Sequence, residues 1–357
     1  MAAPKFHRLK IANVRPETDD AVALRFEIPA GLAEAYAFTP GQYLTLRAVI
    51  EGKDVRRSYS ICSPLGAEYL EVGVKRIEGG AFSSHAMTLN SGNEMDVMTP
   101  QGRFLAPIGG SHNYLLLAAG SGVTPMVSIA RSVLEGEPES RVTLLYANRT
   151  TDSVMFRQVF DDLKDRFLTR FRLTHVMDEE TQDLELFNGR LDGEKLATMA
   201  TRGLIAPTDF DAIYVCGPQP MIEAASAALE SLGVTKDRIR FELFTPAGGL
   251  PTATATARPQ PQTGSARVEV TLDGARRSFS MDPASETVLQ AASRAGLEIP
   301  YSCAGGMCCT CRCKVTAGDA AMDVNYSLEP WELDAGYVLA CQTRATSERL
   351  ALDFDAA

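Results

Sequence analysis

Five of the eight cysteines lie between residues 303 and 313, and their spacing is the strongest chemical signal in this 357-residue chain. Cys303, Cys308 and Cys311 stand at C-x4-C-x2-C spacing, and Cys341 follows thirty residues later. This spacing is typical of a plant-type [2Fe-2S] cluster, which requires four thiolates. The sequence therefore predicts that Cys303, Cys308, Cys311 and Cys341 are iron ligands.

The residues around these cysteines weigh against other metal centres. The small residues 304–306 let the backbone wrap closely and direct N–H groups at the sulfur atoms, and we expect Cys309 and Cys313 not to bind iron. The alternative is a zinc site built on Cys308-x-x-Cys311, although the chain has no second C-x-x-C pair. A Rieske centre needs two histidine ligands, and none of the four histidines lies near the cysteines.

A second candidate site is Arg57-Ser58-Tyr59-Ser60, at the end of a strand predicted over residues 55–61. We expect Arg57 to neutralise a pyrophosphate, Tyr59 to lie against a flavin ring, and the Ser60 hydroxyl to bond the N5 edge of that ring. Glycines, cations and hydroxyls that open a short helix are what a phosphate site requires. The further residues predicted to bind FAD on this basis are Val74, Lys75, Gly80, Phe82, Ser83 and Ser84. An ordinary strand with a surface arginine is the alternative.

A glycine-containing segment, Gly120-Ser-Gly122-Val-Thr124-Pro125, follows a predicted buried strand and opens a helix. It is similar to the dinucleotide-binding fingerprint but ends in proline instead of glycine. Gly120, Gly122, Thr124 and Pro125 are therefore predicted to bind a pyridine nucleotide, with Thr124 orienting the nicotinamide.

The residues after the second predicted strand of this region bear on the choice of nucleotide. A Rossmann fold specific for NAD has an acid there, whereas this chain has Asn148-Arg149, with Arg157 further on. Arg149 and Arg157 suit the 2′-phosphate of NADP, so the sequence predicts NADPH as the donor. A solvated loop arginine remains the alternative.

A late motif, Cys216-Gly217-Pro218, stands at the carboxyl end of a predicted strand, with Met221 opening the next helix. Ligands bind at such strand ends in open α/β sheets. We therefore expect Cys216, Gly217, Pro218 and Met221 to bind the nucleotide, with Cys216 flanking the nicotinamide. A buried core cysteine is the alternative for Cys216.

The elements that must position these motifs fall into three groups. Up to about residue 106, short apolar runs broken by Gly, Pro and Asn predict antiparallel strands and a β-barrel. Beyond that point strands alternate with helices, which predicts a parallel sheet. The last 90 residues or so are compatible with a β-grasp ferredoxin. The predicted strands are 22–28, 43–49, 69–74, 114–119, 141–147, 171–177, 211–216, 266–272, 276–281, 312–315, 337–339 and 350–354, and the predicted helices are 123–134, 155–167, 220–232 and 287–295.

One segment has the composition of a linker. Residues 247–265 hold three prolines, one arginine and no acidic residue, as flexible connectors do. We therefore predict an FAD-binding β-barrel domain over 1–107, an NAD(P)-binding domain over 108–246, a flexible linker over 247–265 and a [2Fe-2S] ferredoxin domain over 266–357.

Composition narrows the setting. The net charge of −10 argues against nucleic acid as a partner and offers no basic patch to a membrane. No apolar run is long enough to cross a bilayer, and the first residues lack the apolar core of a secretory signal. The clustered cysteines do not resemble an extracellular disulfide framework, so we expect a cytoplasmic protein.

Together the flavin, nucleotide and late motifs resemble those of the ferredoxin–NADP reductase superfamily, and the C-terminal module resembles a fused plant-type ferredoxin. Residues 308–315, 322–328 and 336–342 look like those of the reductase subunits of phenylacetyl-CoA epoxidases (1,2-monooxygenases). The resemblance implies electron transfer from NADPH through FAD and the cluster to a separate di-iron oxygenase, in aerobic phenylacetate degradation. It also implies that Glu242 and Phe244 lie near the flavin, with Ser60, Cys216 and Glu242 as catalytic residues.

The di-iron chemistry itself is expected in another polypeptide, because no Glu-x-x-His pair occurs in this chain. A reductase of another aromatic-ring oxygenase or hydroxylase shares all these motifs and is the first alternative. A non-catalytic redox sensor or electron carrier, and a zinc-binding interaction module, are alternatives of other classes.

Overall fold

The computed structural model describes residues 4–244 and 264–356, and it begins with a six-stranded antiparallel barrel. The strands follow the order β4-β3-β6-β1-β2-β5. Ile61, just after β4, bridges Val72 of β5, so the two outer strands meet and close the barrel. The elements are β1 (Phe6–Thr18), β2 (Ala21–Glu27), β3 (Tyr43–Ile50), β4 (Lys53–Ser60), β5 (Tyr69–Lys75), α1 (Ala81–Ala86) and β6 (Glu94–Met98).

The short apolar runs that predict the barrel pack its interior. Phe26, Leu44, Leu46 and Phe82 are each at most 1% exposed within its core. The longest strand, β1, is missing from the sequence prediction, because only two of its thirteen side chains are fully buried and the strand carries no apolar alternation.

A five-stranded parallel sheet follows, in the order β11-β10-β7-β8-β9. The chain starts at β7, adds β8 and β9 on one side, then crosses to add β10 and β11 on the other. Ligands bind outside the carboxyl ends of strands at such a switch point. The elements are β7 (Asn113–Ala119), α2 (Val123–Gly136), β8 (Arg141–Asn148), α3 (Arg157–Arg166), β9 (Phe171–Met177), α4 (Gly193–Thr201), β10 (Ala212–Cys216), α5 (Gln219–Ser231) and β11 (Ile239–Glu242).

The C-terminal residues form a mixed sheet in the order β13-β12-β18-β14-β16, with a second two-stranded sheet of β15 and β17. Strands β12 and β18 are parallel neighbours and α6 packs on β13 and β17, which is the predicted β-grasp arrangement. The hairpin turn has Asp273 at φ 52° and Gly274 at φ 73°, as a type I′ turn requires. The elements are β12 (Ala266–Leu272), β13 (Ala275–Met281), α6 (Val288–Arg294), β14 (Arg312–Ala317), β15 (Ala320–Met322), α7 (Pro330–Asp334), β16 (Tyr337–Leu339), β17 (Thr343–Ala345) and β18 (Arg349–Asp353).

The described residues separate into two compact units. Residues 7–55 and 59–244 form one, and residues 264–356 belong to the other together with 4–6 and 56–58. Residues 247–263 of the predicted linker lie outside the described part, so the linker and the domain boundaries stay predictions. In the described ranges, no helix combines the length and apolar character needed to span a bilayer.

Candidate active site and cysteine loop

A cavity of about 700 Å³ opens at the carboxyl ends of the parallel strands, where the switch point of the sheet predicts a ligand. Its walls come from the ends of β7, β8 and β10 and from the loops that follow them. A volume of this size suits a cofactor or nucleotide. The sequence-predicted residues that line it are Lys75, Gly120, Gly122, Arg149, Gly217, Pro218, Met221 and Phe244.

The two glycine motifs meet in this cavity because they lack side chains. A Cβ on Gly122 would overlap the carbonyl group of Cys216, so only glycine permits this approach. A Cβ on Gly217 would lie 2.9 Å from the Met221 sulfur and 3.1 Å from the Ala119 Cβ. The fold thus places the fingerprint loop directly against the late motif.

Thr124 and Pro125 are both buried, and neither is among the residues that line the cavity. The Thr124 hydroxyl donates a hydrogen bond to the Ser121 carbonyl at 3.0 Å, which stabilises the loop. The Thr124 methyl group faces Gly73 of β5, where an added Cβ would lie 2.8 Å from it. The role of Thr124 in orienting the nicotinamide therefore stays a prediction.

Two cations at the rim of the cavity share one carboxylate. The Lys75 Nζ lies 3.7 Å from Oδ1 of Asp20, and an Arg149 guanidinium nitrogen lies 3.9 Å from Oδ2 of Asp20. The Arg149 side chain is 60% exposed. Sequence reasoning assigns Lys75 to the flavin and misses Asp20, which no local motif marks.

Two further arginines, Arg157 and Arg190, differ in their position relative to the cavity. Arg157 starts α3, pairs with Asp161 at 3.9 Å, and is not among the cavity-lining residues. Arg190 does line the cavity and lies 3.3 Å from Asp178. The sequence prediction includes neither residue of this pair, although Asp178 directly follows β9 and stands at a carboxyl strand end, where ligand-binding residues are expected.

The three residues predicted as catalytic come together beside the cavity-lining loops. Cys216 and Glu242 are paired residues at the ends of the neighbouring strands β10 and β11. The Ser60 hydroxyl, at the end of β4, donates to Oε2 of Glu242 at 3.3 Å. The barrel and the parallel sheet thus each contribute to one polar group of side chains.

The surroundings of this trio keep protons on both acidic groups. Burial raises the pKa of the Glu242 carboxyl to about 8, and the hydrogen bond from Ser60 opposes that rise. Glu242 is crowded by protein atoms although part of it still reaches solvent. Cys216 is 0% exposed, and burial together with the Glu242 charge raises the pKa of its thiol well above the usual range. At neutral pH the site therefore holds a carboxylic acid and a thiol.

The flavin motif lies along β4. Arg57 is exposed, and its guanidinium donates to the Arg56 carbonyl at 2.7 Å. Ser58 and Tyr59 are half-buried, and the Tyr59 ring lies 5.6 Å from the ring of Phe82. The side chains of Val74 and Phe82 pack in the barrel core, so any contact of these two with FAD would come from their backbone atoms.

The predicted phosphate turn precedes α1. The buried Ser83 hydroxyl donates to the Gly80 carbonyl at 3.2 Å and accepts from the Ile77 N–H at 3.1 Å. A Cβ on Gly80 would lie 2.5 Å from the Ser83 hydroxyl oxygen, so glycine is needed at position 80. Ser84 is exposed in the first turn of α1. The turn offers the glycine and hydroxyl groups that a phosphate site requires, and its binding role, like that of Arg57, stays a prediction.

The four predicted iron ligands meet as two pairs of sulfur atoms. The thiols of Cys303 and Cys308 are hydrogen-bonded to each other, and so are those of Cys311 and Cys341. The Gly305 N–H donates to the Cys303 sulfur at 3.3 Å, and the backbone N–H of Cys303 donates to the Cys308 sulfur at 3.5 Å. Such N–H groups are the outer contacts expected of thiolate ligands.

This paired arrangement fits two irons better than one ion. A structural zinc needs four ligands around one point, whereas a [2Fe-2S] cluster takes two thiolates at each iron. The donor set therefore fits the cluster.

The other cysteines of the loop are engaged elsewhere. The Cys309 thiol donates to the Ser327 hydroxyl at 3.0 Å, with Cys309 itself at φ 56°. Cys313 is 0% exposed in the core of the C-terminal sheet. In the first ligand pair, the hydrogen bond from Cys308 lowers the pKa of Cys303 to about 5. Cys303 thus carries thiolate character suited to a metal ligand.

Comparison with known proteins agrees with this geometry. Family models match residues 8–105 as an oxidoreductase FAD-binding domain, 116–227 as an oxidoreductase NAD-binding domain, and 270–346 as a 2Fe-2S iron-sulfur cluster binding domain. Phthalate dioxygenase reductase, whose structure is described as modular for electron transfer from pyridine nucleotides to [2Fe-2S], shares the fold at a TM-score of 0.59. It is 24% identical, and the match covers 98% of both chains.

Two curated relatives match nearly the whole chain. One component of the 1,2-phenylacetyl-CoA epoxidase of Escherichia coli K12 is 43% identical over 354 residues, covering 98% of each chain. The 3-ketosteroid-9-alpha-monooxygenase ferredoxin reductase component of Mycobacterium tuberculosis is 36% identical, covering 97% of this chain and 95% of the relative. The chain therefore belongs to the family of oxygenase reductase components that join FAD-binding, NAD-binding and [2Fe-2S] domains in one polypeptide.

Proposed function

We propose that this chain is the reductase subunit of a phenylacetyl-CoA epoxidase, which passes electrons from NADPH through FAD and a [2Fe-2S] cluster to a separate di-iron oxygenase. The likeness to the Escherichia coli epoxidase component supports the choice of partner. The observation that carries the proposal is the trio of Ser60, Cys216 and Glu242 beside a cavity of nucleotide size, in a chain that also holds two pairs of cysteine sulfurs. We also propose a cytoplasmic location, because the spacing of the clustered cysteines does not resemble an extracellular disulfide framework.

Bound FAD supplies the chemistry that connects a two-electron donor to a one-electron acceptor. The residues of this chain supply position and protons. Gly122 and Gly217 let the fingerprint loop approach the end of β10, where the buried Cys216 thiol lies directly before the cavity-lining Gly217. The Ser60 hydroxyl fixes the Glu242 carboxyl at the same place. A carboxylic acid with a pKa of about 8 holds a proton at neutral pH without placing a charge in the cleft.

We assign NADPH as the donor on the basis of the two cations at the rim. Arg149 and Lys75 both line the cavity, and among the residues that the structure describes they share the carboxylate of Asp20. A 2′-phosphate brings two negative charges and is bound well by an arginine fork. Arg157 is a weaker candidate, because it pairs with Asp161 and does not line the cavity.

At the C-terminal end, Cys303 with Cys308 would hold one iron and Cys311 with Cys341 the other. The Gln342 amide donates to the Ala304 carbonyl at 3.0 Å and to the Cys341 sulfur at 3.6 Å, so it ties the distant ligand to the loop. Hydrogen bonds to sulfur tune the potential of such clusters.

The test is a purified, anaerobic preparation mixed with phenylacetyl-CoA epoxidase oxygenase subunits. We expect flavin and cluster absorption that NADPH bleaches, and NADPH consumption that depends on phenylacetyl-CoA. Bleaching without consumption in the presence of phenylacetyl-CoA would contradict this partner while leaving the reductase activity. A colourless protein would contradict the electron-transfer function altogether.

A second partner has some support. The relative that is 36% identical is the reductase component of 3-ketosteroid-9-alpha-monooxygenase, so a steroid-hydroxylating oxygenase is the alternative acceptor. Exchange of the oxygenase in the same assay separates the two partners, because only the true acceptor gives NADPH consumption that requires its own substrate.

A further inference from the structure

The short helix α7 exposes the single tryptophan of the chain. Trp331 is 63% exposed and Leu333, on the same helix, is 41% exposed. The two side chains are two positions apart and lie on different sides of the helix, so Trp331 by itself is the apolar anchor of the outer face. Tryptophan is also the residue type most enriched among those that dominate binding energy at protein interfaces.

The inner side of α7 is fixed to the cysteine loop by a buried ion pair. Glu332 is 0% exposed and pairs with Arg312, the residue that directly follows the predicted ligand Cys311. The Arg312 guanidinium also lies 4.8 Å from the Tyr337 ring centre. Because a buried charge without its partner is costly, this pair holds the helix in one position beside the predicted iron ligands.

The chain segment before α7 is attached to the same loop. The Tyr326 N–H donates to the Gly306 carbonyl at 3.1 Å, and the Ser327 hydroxyl donates to the same carbonyl at 3.2 Å. Glu329 closes a capping box with Glu332 at the start of the helix. These contacts fix the helix that carries Trp331 before any partner binds, which reduces the conformational entropy lost on binding.

The charges around Trp331 indicate what kind of partner fits. Glu329 and Asp334, at the two ends of the helix, are both exposed. Residues 266–357 as a whole carry 13 acidic and eight basic residues. An apolar anchor with acidic surroundings is complementary to an apolar pocket with a basic rim.

We propose that the outer face of α7, with Trp331 as its anchor, is the surface that docks the electron-accepting protein. This inference rests on the proposed function, and it commits to a partner that presents an apolar pocket bordered by lysines or arginines. Docking there places the acceptor next to the segment that carries Cys311.

The kinetic test compares Trp331→Ala, Trp331→Phe and the control Leu168→Ala, which removes another exposed side chain (79%) far along the chain. We expect Trp331→Ala to raise the reductase concentration needed for half-maximal oxygenase turnover about tenfold, the scale of an interface hot spot. Trp331→Phe retains most of the affinity, and Leu168→Ala leaves it unchanged. Stopped-flow bleaching of flavin and cluster by NADPH keeps its wild-type rates in all three variants.

A second readout does not depend on activity. Because Trp331 is the single tryptophan, incorporation of 5-fluorotryptophan gives one ¹⁹F resonance. We expect that resonance to shift or broaden when oxidised oxygenase is added at low salt, and to recover at high salt. NADP⁺ should not move it.

The outcomes separate this inference from the function beneath it. Wild-type protein that supports no oxygenase turnover contradicts both. Turnover that is insensitive to Trp331→Ala, or a ¹⁹F resonance that ignores the oxygenase, overturns the docking surface alone. Slower cluster bleaching by NADPH in Trp331→Ala would identify the flavin-binding part of this chain as the occupant, and it would also overturn the proposal.

Discussion

The two chemical centres of this protein are built in opposite ways. The cysteine site takes three of its four predicted ligands from nine consecutive residues, 303–311, and only Cys341 comes from elsewhere. The predicted catalytic group beside the cavity draws Ser60, Cys216 and Glu242 from three separate strands in two kinds of sheet. A site whose side chains come mostly from one loop keeps its geometry as long as that loop folds. A site assembled from strand ends depends on every packing contact that sets those ends.

We therefore expect the two sites to differ in the amino-acid substitutions that they tolerate. In the cysteine loop, we expect iron binding to depend on the thiol of each predicted ligand and much less on the residues next to it. In the nucleotide cleft, backbone approach is decisive, because Gly122 lies against the Cys216 carbonyl with no room for a Cβ. The variants below are ordered from the largest expected effect to the smallest.

Cys311→Ser removes one sulfur of the second pair and should abolish oxygenase reduction. One iron then has a single thiolate from this chain, so we expect no stable cluster and loss of the reduced [2Fe-2S] electron paramagnetic resonance signal. Ferricyanide reduction by NADPH should persist, because it does not require the cluster.

The matched control is Cys309→Ser, which changes a cysteine of the same loop whose thiol bonds Ser327. It should keep iron and signal. A full iron content and an unchanged signal in Cys311→Ser would contradict the assignment of Cys311 as an iron ligand.

Gly122→Ala introduces a Cβ that overlaps the Cys216 carbonyl. Because the fingerprint loop must then move away from β10, we expect the rate of flavin reduction by NADPH to fall about 100-fold, the scale typical of an ångström-sized misplacement. Dithionite should still reduce the cluster. Gly31→Ala, where the added methyl group meets open space, is the control, and equal effects in the two variants would refute the close-approach argument.

Arg149→Ala should raise the Michaelis constant for NADPH about tenfold and leave that for NADH nearly unchanged, since one charge-assisted contact to a 2′-phosphate is lost. Steady-state kinetics with both nucleotides provides the measurement. The assignment of NADPH is wrong if both constants change alike.

Asp20→Asn is the opposite variant, because Asp20 competes with the phosphate for Arg149 and Lys75. It should lower the Michaelis constant for NADPH by about two- to threefold, as expected for a weak, partly exposed ion pair. The same steady-state kinetics measures it, and an unchanged or raised constant would contradict the competition.

Glu242→Gln should change the pH profile more than the rate at pH 7. The raised pKa keeps the wild-type carboxyl neutral below about 8, and above that pH an anion must be desolvated as the nicotinamide enters. We therefore expect flavin reduction in the wild type to slow severalfold between pH 7 and pH 9, by the roughly 1.4 kcal/mol per pKa unit that links charge and environment. The glutamine variant should be nearly flat over this range, and a retained inflection would assign the ionisation to another group.

The difference between a site from one loop and a site from separate strands also explains what the sequence could predict. The cysteine ligands and the alternating strands and helices are directly readable, because spacing and periodicity are local properties. Glu242 is suggested only by family resemblance, since nothing local at residues 241–244 distinguishes an active-site acid from an edge-strand residue. Asp20 and Arg190 escape prediction for the same reason: their importance arises from what the fold places beside them.

Two elements show where periodicity fails. Strand β1 buries few of its side chains completely, with Leu9 and Ile11 among them, so its thirteen residues carry little alternation. Helix α7 has five residues and starts at Pro330, which is too short for a helical repeat to show. Both are held by tertiary contacts, not by their own sequence pattern.

Strand β11 is an edge strand of its sheet, and this position affects how the proton on the Glu242 carboxyl is held. This strand has four residues and is hydrogen-bonded to β10 alone among the described strands. Fraying of so short an outer strand is a low-energy event, and it would carry Glu242 into water while Ser60 and Cys216 remain in place. The Glu242 carboxyl would then ionise at neutral pH. Hydrogen exchange at the Phe241 amide would therefore report how often the strand opens and this carboxyl loses its proton.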